Sequence, residues 1–150
     1  MALCVKAKEA LAHYIAKIEK FNKYEWNLEF YGSTVSGLIS PTSSDIDLTL
    51  IVSQKTKKEV AGVFHPEVLE LIKLSLPYKR YSTILMKMKR LYCLRITDNK
   101  LKINIDLCIN NILGIVNSQM LRTYCLIDRR FQEMCLLLKM VHEDLKPFGS

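Results

Sequence analysis

Residues 31–48 read YGSTVSGLISPTSSDIDL, and this stretch decides the fold. A Gly-Ser break follows a strand-like segment, and an Asp-Ile-Asp triplet begins the next one. Residues 45–52, DIDLTLIV, alternate and then become apolar, which predicts a buried central strand. Since side chains two apart on a strand share a face, Asp45 and Asp47 are expected to lie together. Their repulsion favours a cation between them, although two acids on an exposed edge strand would show the same spacing.

A third acid interrupts another apolar strand farther along the chain. Asp106 lies within KINIDLCIN, residues 102–110, and its neighbours alternate with isoleucine and leucine. A lone buried aspartate costs several kcal/mol unless it is paired, hydrogen-bonded or bound to metal. Three acids on two strands can hold two divalent ions about 3.5–4 Å apart, the arrangement used for in-line phosphoryl displacement. The upstream Gly-Ser turn can present backbone N–H groups to phosphate oxygens.

The remaining apolar pattern indicates an α+β fold, a small mixed sheet with helices packed on it. The segment 81–90 is ambiguous between helix and strand, and a Ser/Pro/Thr-rich loop runs to residue 44. The predicted elements are a helix over 3–21, strands over 26–31 and 45–52, a helix over 67–76, a hairpin with strands 91–97 and 101–109, and helices over 112–126 and 129–142.

Composition restricts the class of protein. The chain has 150 residues, 49% of them hydrophobic and 25% charged, which fits one globular domain and excludes a disordered tail, a collagen-like repeat or a disulfide-stapled miniprotein. Lys+Arg 22 against Asp+Glu 15 gives a net charge of +7. This surplus favours polyanionic partners such as RNA, nucleotides or acidic lipid headgroups, while an ordinary soluble basic surface has the same balance.

The cysteines and the N-terminus predict a location. The cysteine count of 5 is odd and no CxxC occurs, which favours free buried thiols in a reducing compartment. The opening residues, MALCVKAKEA, carry charges where a signal peptide needs its apolar core, and no apolar run is long enough to cross a bilayer. We therefore expect an intracellular protein, cytoplasmic or nuclear, without a membrane partner.

The motif of residues 31–48 resembles the nucleotidyltransferase signature of the DNA polymerase β-like superfamily. Its STVSGL and SSDIDL segments are similar to one branch, the non-canonical poly(A) polymerases and terminal uridylyltransferases. The resemblance continues through INIDLCINNILGIVNSQMLRTY (103–124) and DRRFQEMCLLLKMVHEDL (128–145), and covers roughly residues 22–150. It implies a polymerase β-like palm fold. Residues 1–150 would then form the catalytic palm domain with the first helices of the central domain, without the C-terminal poly(A) polymerase-associated domain.

The resemblance also implies the catalytic groups. Asp45, Asp47 and Asp106 would hold two Mg²⁺ (or Mn²⁺) ions, and Asp106 would help to deprotonate an RNA 3′-hydroxyl. That hydroxyl would attack the α-phosphorus of ATP or UTP, so that nucleotides are added to the RNA 3′ end without a template.

The nucleotide would be bound by residues outside the acids. The resemblance places Gly32 and Ser33 at the triphosphate, Asn117 at the ribose, Ser118 at the base or sugar, and Lys139 at a phosphate. Asn117 also fits a solvent-facing helix position, and the Lys139 side chain can instead extend to solvent.

Three departures from the family pattern favour weakened activity. Glu143 stands where a second lysine is usual, Val141 replaces an aromatic residue, and the strand LYCLRI (91–96) lacks a proline. Two alternatives therefore remain open: a non-catalytic nucleotide- or RNA-binding remnant, and a superfamily member that acts on a small molecule or a protein.

Overall fold

A five-stranded mixed sheet forms the centre of the protein, in a computed structural model that describes residues 2–39, 45–54, 65–88 and 91–144. Its order is β1-β2-β5-β4-β3, with β2 and β5 parallel and the other pairs antiparallel. The strands are β1 (Tyr24–Phe30), β2 (Ile46–Gln54), β3 (Tyr81–Lys87), β4 (Tyr92–Asp98) and β5 (Ile103–Ile109). The helices are α1 (Ala2–Ile15), α2 (Ser33–Ser36), α3 (His65–Ser75), α4 (Ile112–Ile127) and α5 (Arg129–Asp144). The predicted α+β class is confirmed.

One face of the sheet forms the hydrophobic core with α1 and α3. Leu48 of β2, Leu107 of β5 and Leu69 of α3 are fully buried in this cluster. Each such leucine contributes about 1.5–3 kcal/mol through burial. Because side chains alternate along a strand, Asp47, next to Leu48, and Asp106, next to Leu107, lie on the opposite face of the sheet. The core therefore fixes which face carries the acids.

The first predicted helix is shorter than expected. The apolar spacing predicts one helix over 3–21, but α1 ends at Ile15 and a short 3-10 helix follows at Glu19–Lys23. Between them Ile18 is extended, with φ −81° and ψ 108°. Phe21 still becomes buried, although through the 3-10 helix. Helical spacing correctly placed Leu11, Ile15 and Phe21 in the core, but Leu3 is exposed and the break in the backbone was not predicted.

Two further regions refine the predicted elements. Within the ambiguous segment 81–90, Tyr81–Lys87 form β3, an edge strand that pairs with β4, and residues 89–90 lie outside the described residues. The predicted loop after β1 contains the one-turn helix α2, and residues 40–44 of that loop lie outside the described residues. The predicted antiparallel hairpin of β4 and β5 is confirmed, and its turn occupies residues 99–102.

The two asparagines that follow β5 hold the start of α4. Asn111 is the N-cap, and its side chain accepts a hydrogen bond from the Gly114 N–H at 3.1 Å. Asn110 has a positive φ of 50°, and its Oδ1 accepts from the Val52 N–H at 2.9 Å. This satisfies one otherwise unpaired helix donor and one strand donor. Asn111 is therefore the residue that caps the helix, and Asn110 joins the end of β5 to β2.

All cysteines are free thiols, as predicted, and Cys93 and Cys108 are buried. Among the helices of the described residues, none combines the length and apolar character needed to cross a membrane.

The β4–β5 hairpin is anchored by a buried ion pair, which gives a first prediction. Asp98 is fully buried; it accepts from the Arg80 guanidinium at 2.7 Å and from the backbone N–H groups of Lys100 and Leu101. Burial alone would raise the pKa of Asp98, but these donors outweigh it and lower the pKa. Its stabilisation is therefore present above the unfolded pKa of about 3.9 and is lost as pH falls through the lower folded pKa.

We expect Asp98→Asn to lower the free energy of unfolding at pH 7 by about 1–3 kcal/mol. Urea denaturation at pH 7 and at pH 3 would measure this, and the difference from wild type should shrink at pH 3. Asp128→Asn, which removes an exposed carboxylate paired with Arg130, is the control and should change stability little. An equal loss in Asp98→Asn at both pH values would contradict the assignment.

Candidate active site

Two of the three predicted catalytic acids lie side by side on the sheet face opposite the core. In the parallel β2–β5 pair, Asp47 is the direct register partner of Asp106. On the other side of β5, Arg95 of β4 is the register partner of Asp106. The row Asp47–Asp106–Arg95 therefore crosses three neighbouring strands on one face. This confirms that β2 and β5 bring acids from distant parts of the chain together.

The surroundings of Asp47 disfavour the ionised form of its carboxyl group. Burial raises its pKa to about 6, and the charges of Asp106 and Asp45 add to the rise. A backbone hydrogen bond from Ser33 and the positive charge of Lys139 act in the opposite direction. The folded protein thus holds a carboxylate whose ionised form gains from any added positive charge.

Asp45 lies immediately before β2 and is held by polar residues of the hairpin. The side-chain amide of Asn104 donates to Asp45 Oδ1 at 3.1 Å. The Thr97 hydroxyl in turn donates to Asn104 Oδ1 at 3.0 Å. Arg95 Nη2 lies 3.6 Å from its Oδ2. All three predicted acids therefore share one neighbourhood, with Arg95 in contact with two of them.

The Gly-Ser turn packs directly against Asp47. Gly32 has φ 65° and ψ −143°, and a Cβ added there would collide with the Asp47 carboxylate. The Gly32 N–H donates to Ser118 Oγ at 2.6 Å, and that hydroxyl donates to the Gly114 carbonyl, also at 2.6 Å. Ser33 begins α2. These contacts join the Gly-Ser turn to Asp47 and to α4. Only glycine fits at position 32 of this turn.

The carbonyl groups at the end of α2 are bound by long side chains of α4 and α5. Arg122 donates to the Val35 carbonyl at 3.2 Å, and Gln132 donates to the Gly37 carbonyl at 2.9 Å. Lys139 Nζ donates to the Leu38 carbonyl at 2.7 Å. Lys139 therefore reaches the segment of the Gly-Ser turn instead of extending freely into solvent.

The predicted nucleotide-binding residues of α4 differ in their surroundings. Asn117 is exposed, whereas Ser118 is 4% exposed and its hydroxyl is engaged by Gly32 and Gly114. Contact of either side chain with a nucleotide stays a prediction. The side chain of Glu143, which stands where the family pattern has a second lysine, lies outside the described residues.

Arg95 and Asn104 were missed by the sequence reasoning. Each carried a usable signal, because each is a polar residue that alternates with buried residues on a hairpin strand, as Asp106 does. The signal could not identify their partners, since these depend on strand register. Arg95 forms a two-pronged ion pair with Asp106, with Nε 2.8 Å from Oδ1 and Nη2 2.7 Å from Oδ2.

The donor set fits a hard divalent cation, because carboxylate oxygens are the ligands such ions prefer and the three acids lie on one face. The strained Asp47 carboxylate would gain from a cation. Within the described ranges, however, no three His, Cys, Asp or Glu side chains are placed to enclose a metal ion. The acids therefore need a rearrangement of their side chains to become a closed metal site.

A mixed palm-like sheet with a Gly-Ser turn packed against paired acids defines a nucleotidyltransferase palm domain. The chain belongs to the family described as "Poly(A) RNA polymerase, mitochondrial-like, central palm domain", whose model matches residues 2–126. This confirms the predicted family, the non-canonical poly(A) and poly(U) polymerases. Polymerases of this nucleotidyltransferase family generally use divalent metal ions.

Relatives and solved structures agree with this assignment. The chain is 30% identical over 120 residues to the poly(A) RNA polymerase GLD2 of Xenopus tropicalis, covering 75% of this chain. It is 24% identical over 135 residues to the poly(A) RNA polymerase cid13 of Schizosaccharomyces pombe, covering 84% of this chain. The chain spans 21% of the length of each of these relatives.

Two solved structures show the same fold. A structure of the GLD-2/RNP-8 complex matches with a TM-score of 0.77 and 26% identity, covering 94% of this chain and 52% of that chain. The Cid1 poly(U) polymerase with MgGTP bound matches with a TM-score of 0.70 and 22% identity, covering 92% of this chain and 41% of that chain. The polymerase β-like palm fold is thereby confirmed.

The contrast between Ser118 and Asn117 gives a second prediction. Ser118→Ala should lower the free energy of unfolding by about 1–3 kcal/mol, because the Gly32 N–H loses its partner. Asn117→Ala should change stability by less than about 0.5 kcal/mol, since the side chain is exposed. If Asn117 binds the ribose, as the family resemblance implies, Asn117→Ala should still weaken NTP binding about tenfold, because that hydrogen bond is lost.

Urea denaturation and NTP titration of both variants would test this pair of expectations. A Ser118→Ala variant as stable as wild type would contradict the anchoring role of its hydroxyl. Unchanged NTP affinity in Asn117→Ala would contradict the ribose contact.

Proposed function

We propose that this chain is the catalytic domain of a template-independent RNA 3′-terminal nucleotidyltransferase that adds nucleotides from ATP or UTP to an RNA 3′-hydroxyl. The observation that carries the proposal is the direct pairing of Asp47 with Asp106 beside the Gly32 turn. The family and the names of the relatives support the same reaction. The net charge of +7 suits the two polyanions that the reaction must bring together.

Asp45, Asp47 and Asp106 are proposed to hold two Mg²⁺ (or Mn²⁺) ions, which when bound would neutralise charge on the phosphoryl oxygens. The protein's own task is then mainly to position the reactants. Asp106 is proposed to lie next to the attacking 3′-hydroxyl and to favour loss of its proton. Asp47 and Asp106 are suited to this role because the sheet fixes the spacing of their backbones, so that only their side chains need to rearrange.

The nucleotide is proposed to lie between the turn and the two C-terminal helices. Ser33, at the start of α2, would donate its N–H and hydroxyl to the β- or γ-phosphate, and Gly32 permits close approach of the backbone. Lys139 of α5, whose Nζ donates to the Leu38 carbonyl in this structure, would neutralise charge on the triphosphate. Asn117 would bind the ribose hydroxyls, and Ser118 would contact the base or sugar only if its hydroxyl exchanges partners.

The direct test is to incubate the 150-residue protein with Mg²⁺, a short RNA and radiolabelled ATP or UTP. Extension of the RNA with release of pyrophosphate is the expected result. Label on a small molecule or on protein instead of RNA would point to another reaction of the superfamily. Binding of nucleotide without turnover, measured as a rise in melting temperature with Mg²⁺ and NTP, would identify a non-catalytic binding module.

A further inference from the structure

Arg95 contacts two of the three acids that are proposed to hold metal ions. Both oxygens of Asp106 accept from its guanidinium, at 2.8 and 2.7 Å, and its Nη2 also lies 3.6 Å from Asp45 Oδ2. Among the described residues it is the one basic side chain within salt-bridge distance of any of the three acids, and it reaches Asp106 and Asp45. A guanidinium that holds both oxygens of a carboxylate leaves no equivalent position for a cation on that side.

A second arginine pair, between Arg80 just before β3 and Asp98 at the end of β4, shows what a purely structural contact looks like. Asp98 has a side-chain exposure of 1% and accepts from two backbone N–H groups as well as from Arg80. Asp106 has a side-chain exposure of 18%, and within the described part of the chain its carboxylate accepts from Arg95 alone. Arg95 itself is 39% exposed and can leave toward solvent. The additional donors and the burial of Asp98 hold the Arg80 pair in place. The Arg95 pair has fewer donors and is more exposed, so its two side chains can separate more easily.

Charge balance explains why a cation is kept at this point. Asp47 and Asp106 are direct register partners, and Asp45 and Asp106 both contact Arg95, so the three negative charges lie close enough to repel one another. Without a metal ion, Arg95 supplies the positive charge that holds two of them in place. Once a divalent ion binds the same oxygens, the guanidinium becomes a repelling neighbour only a few ångström away.

We propose that Arg95 is a positioning residue that acts as the resident cation of the metal-free site: it holds Asp106 and Asp45 and must release Asp106 before a divalent ion binds there. Arg95 therefore sets the metal affinity of the site and prevents tight occupation before the triphosphate contributes its own charge. The inference rests on the proposed function for the identity of the metal ligands. It does not depend on which polyanion receives the nucleotide.

The test measures Mn²⁺ binding to the 150-residue protein without nucleotide, with free Mn²⁺ followed by electron paramagnetic resonance. Arg95→Met should bind Mn²⁺ about tenfold more tightly than wild type, since a like charge near the ion has been removed. The same variant should melt at a lower temperature without metal and gain more from added Mn²⁺. Arg95→Lys keeps the charge but not the two-pronged contact, and should gain less than half of that increase in affinity.

Arg80→Met is the matched control, because it removes the arginine of the Arg80–Asp98 pair, which does not include any of the three acids. It should lower the melting temperature without changing Mn²⁺ affinity. Unchanged or weaker Mn²⁺ binding in Arg95→Met, or no detectable binding in wild type and variant alike, would overturn the inference. The proposed function fails on a different readout, the absence of labelled RNA, so the two failures can be distinguished.

Discussion

Asp47→Asn is expected to abolish Mg²⁺-dependent extension of RNA while raising the stability of the metal-free protein. The loss of activity should be at least about a thousandfold, because Asp47 is proposed to hold the metal ions, which contribute several kcal/mol of charge stabilisation. The gain in stability follows from the raised pKa of Asp47, which burial causes first and the charges of Asp106 and Asp45 increase. One substitution should therefore move function and stability in opposite directions.

The pH dependence follows from the sign of that shift. The pKa of Asp47 is about 6 in the folded protein and 3.8 in the reference state, so its favourable contribution is present below about pH 4 and is lost as pH rises through 6. At pH 7 the folded protein carries the full cost of the ionised carboxylate. Asparagine carries no charge, and we expect Asp47→Asn to be more stable than wild type at pH 7 by on the order of 1–2 kcal/mol.

Urea denaturation in EDTA at pH 4.5 and pH 7, together with the RNA extension assay, would measure both effects. The difference between variant and wild type should be smaller at the lower pH, and added Mg²⁺ should stabilise wild type only. Glu29→Gln is a suitable control, because Glu29 is an acid on β1 next to Thr49 of β2 and is not a proposed ligand. A destabilised Asp47→Asn variant, or one that still extends RNA, would refute the assignment of Asp47.

The parts of the fold that were predicted correctly depend on local patterns. DIDLTLIV and INIDLCI show the alternation and apolar character of buried strands, and the turn residues between β4 and β5 mark a hairpin. The parallel pairing of β2 with β5 joins residues about 60 positions apart, such as Asp47 and Asp106, and no local pattern specifies it. The acids could therefore be named from the sequence, but their spacing could not.

Arg95 is a second residue whose role depends on strand pairing and could not be predicted from the sequence. In the sequence it is a single basic residue within LYCLRI, which fits an exposed position on an edge strand as well as it fits a site. Its meaning comes from being the register partner of Asp106 across β4 and β5. The one-turn helix α2 was also missed, because a four-residue helix is too short to show periodicity.

Gly32→Ala is expected to have the second largest effect, and the reason is geometric. At φ 65° and ψ −143° the backbone of Gly32 lies in a region that side chains rarely adopt, with a strain of about 1–3 kcal/mol for other residues. An added Cβ would also collide with the Asp47 carboxylate and lie 2.8 Å from its Cγ. We expect a loss of about 2–4 kcal/mol in the free energy of unfolding, together with loss of Mg²⁺-dependent activity.

Gly37→Ala provides the matched control on the other side of α2. Gly37 also has a positive φ, 78°, but the nearest atom to an added Cβ is Gln132 Nε2 at 3.5 Å, an ordinary contact. It should therefore cost only the backbone term of about 1–2 kcal/mol and leave the metal response intact. Equal losses of stability and metal response in the two glycine variants would show that contact with Asp47 does not matter.

A double-mutant cycle separates the collision from the backbone strain at Gly32. Asp47→Ala removes the carboxylate that the added Cβ would meet, but it leaves the backbone conformation unchanged. Gly32→Ala should therefore cost about 1–2 kcal/mol less in the Asp47→Ala background than in wild type. Simple additivity would assign the whole effect to φ and would mean that the turn and the acid are independent. The expected coupling would instead show that the glycine is required because Asp47 is held against the backbone where the triphosphate is proposed to bind.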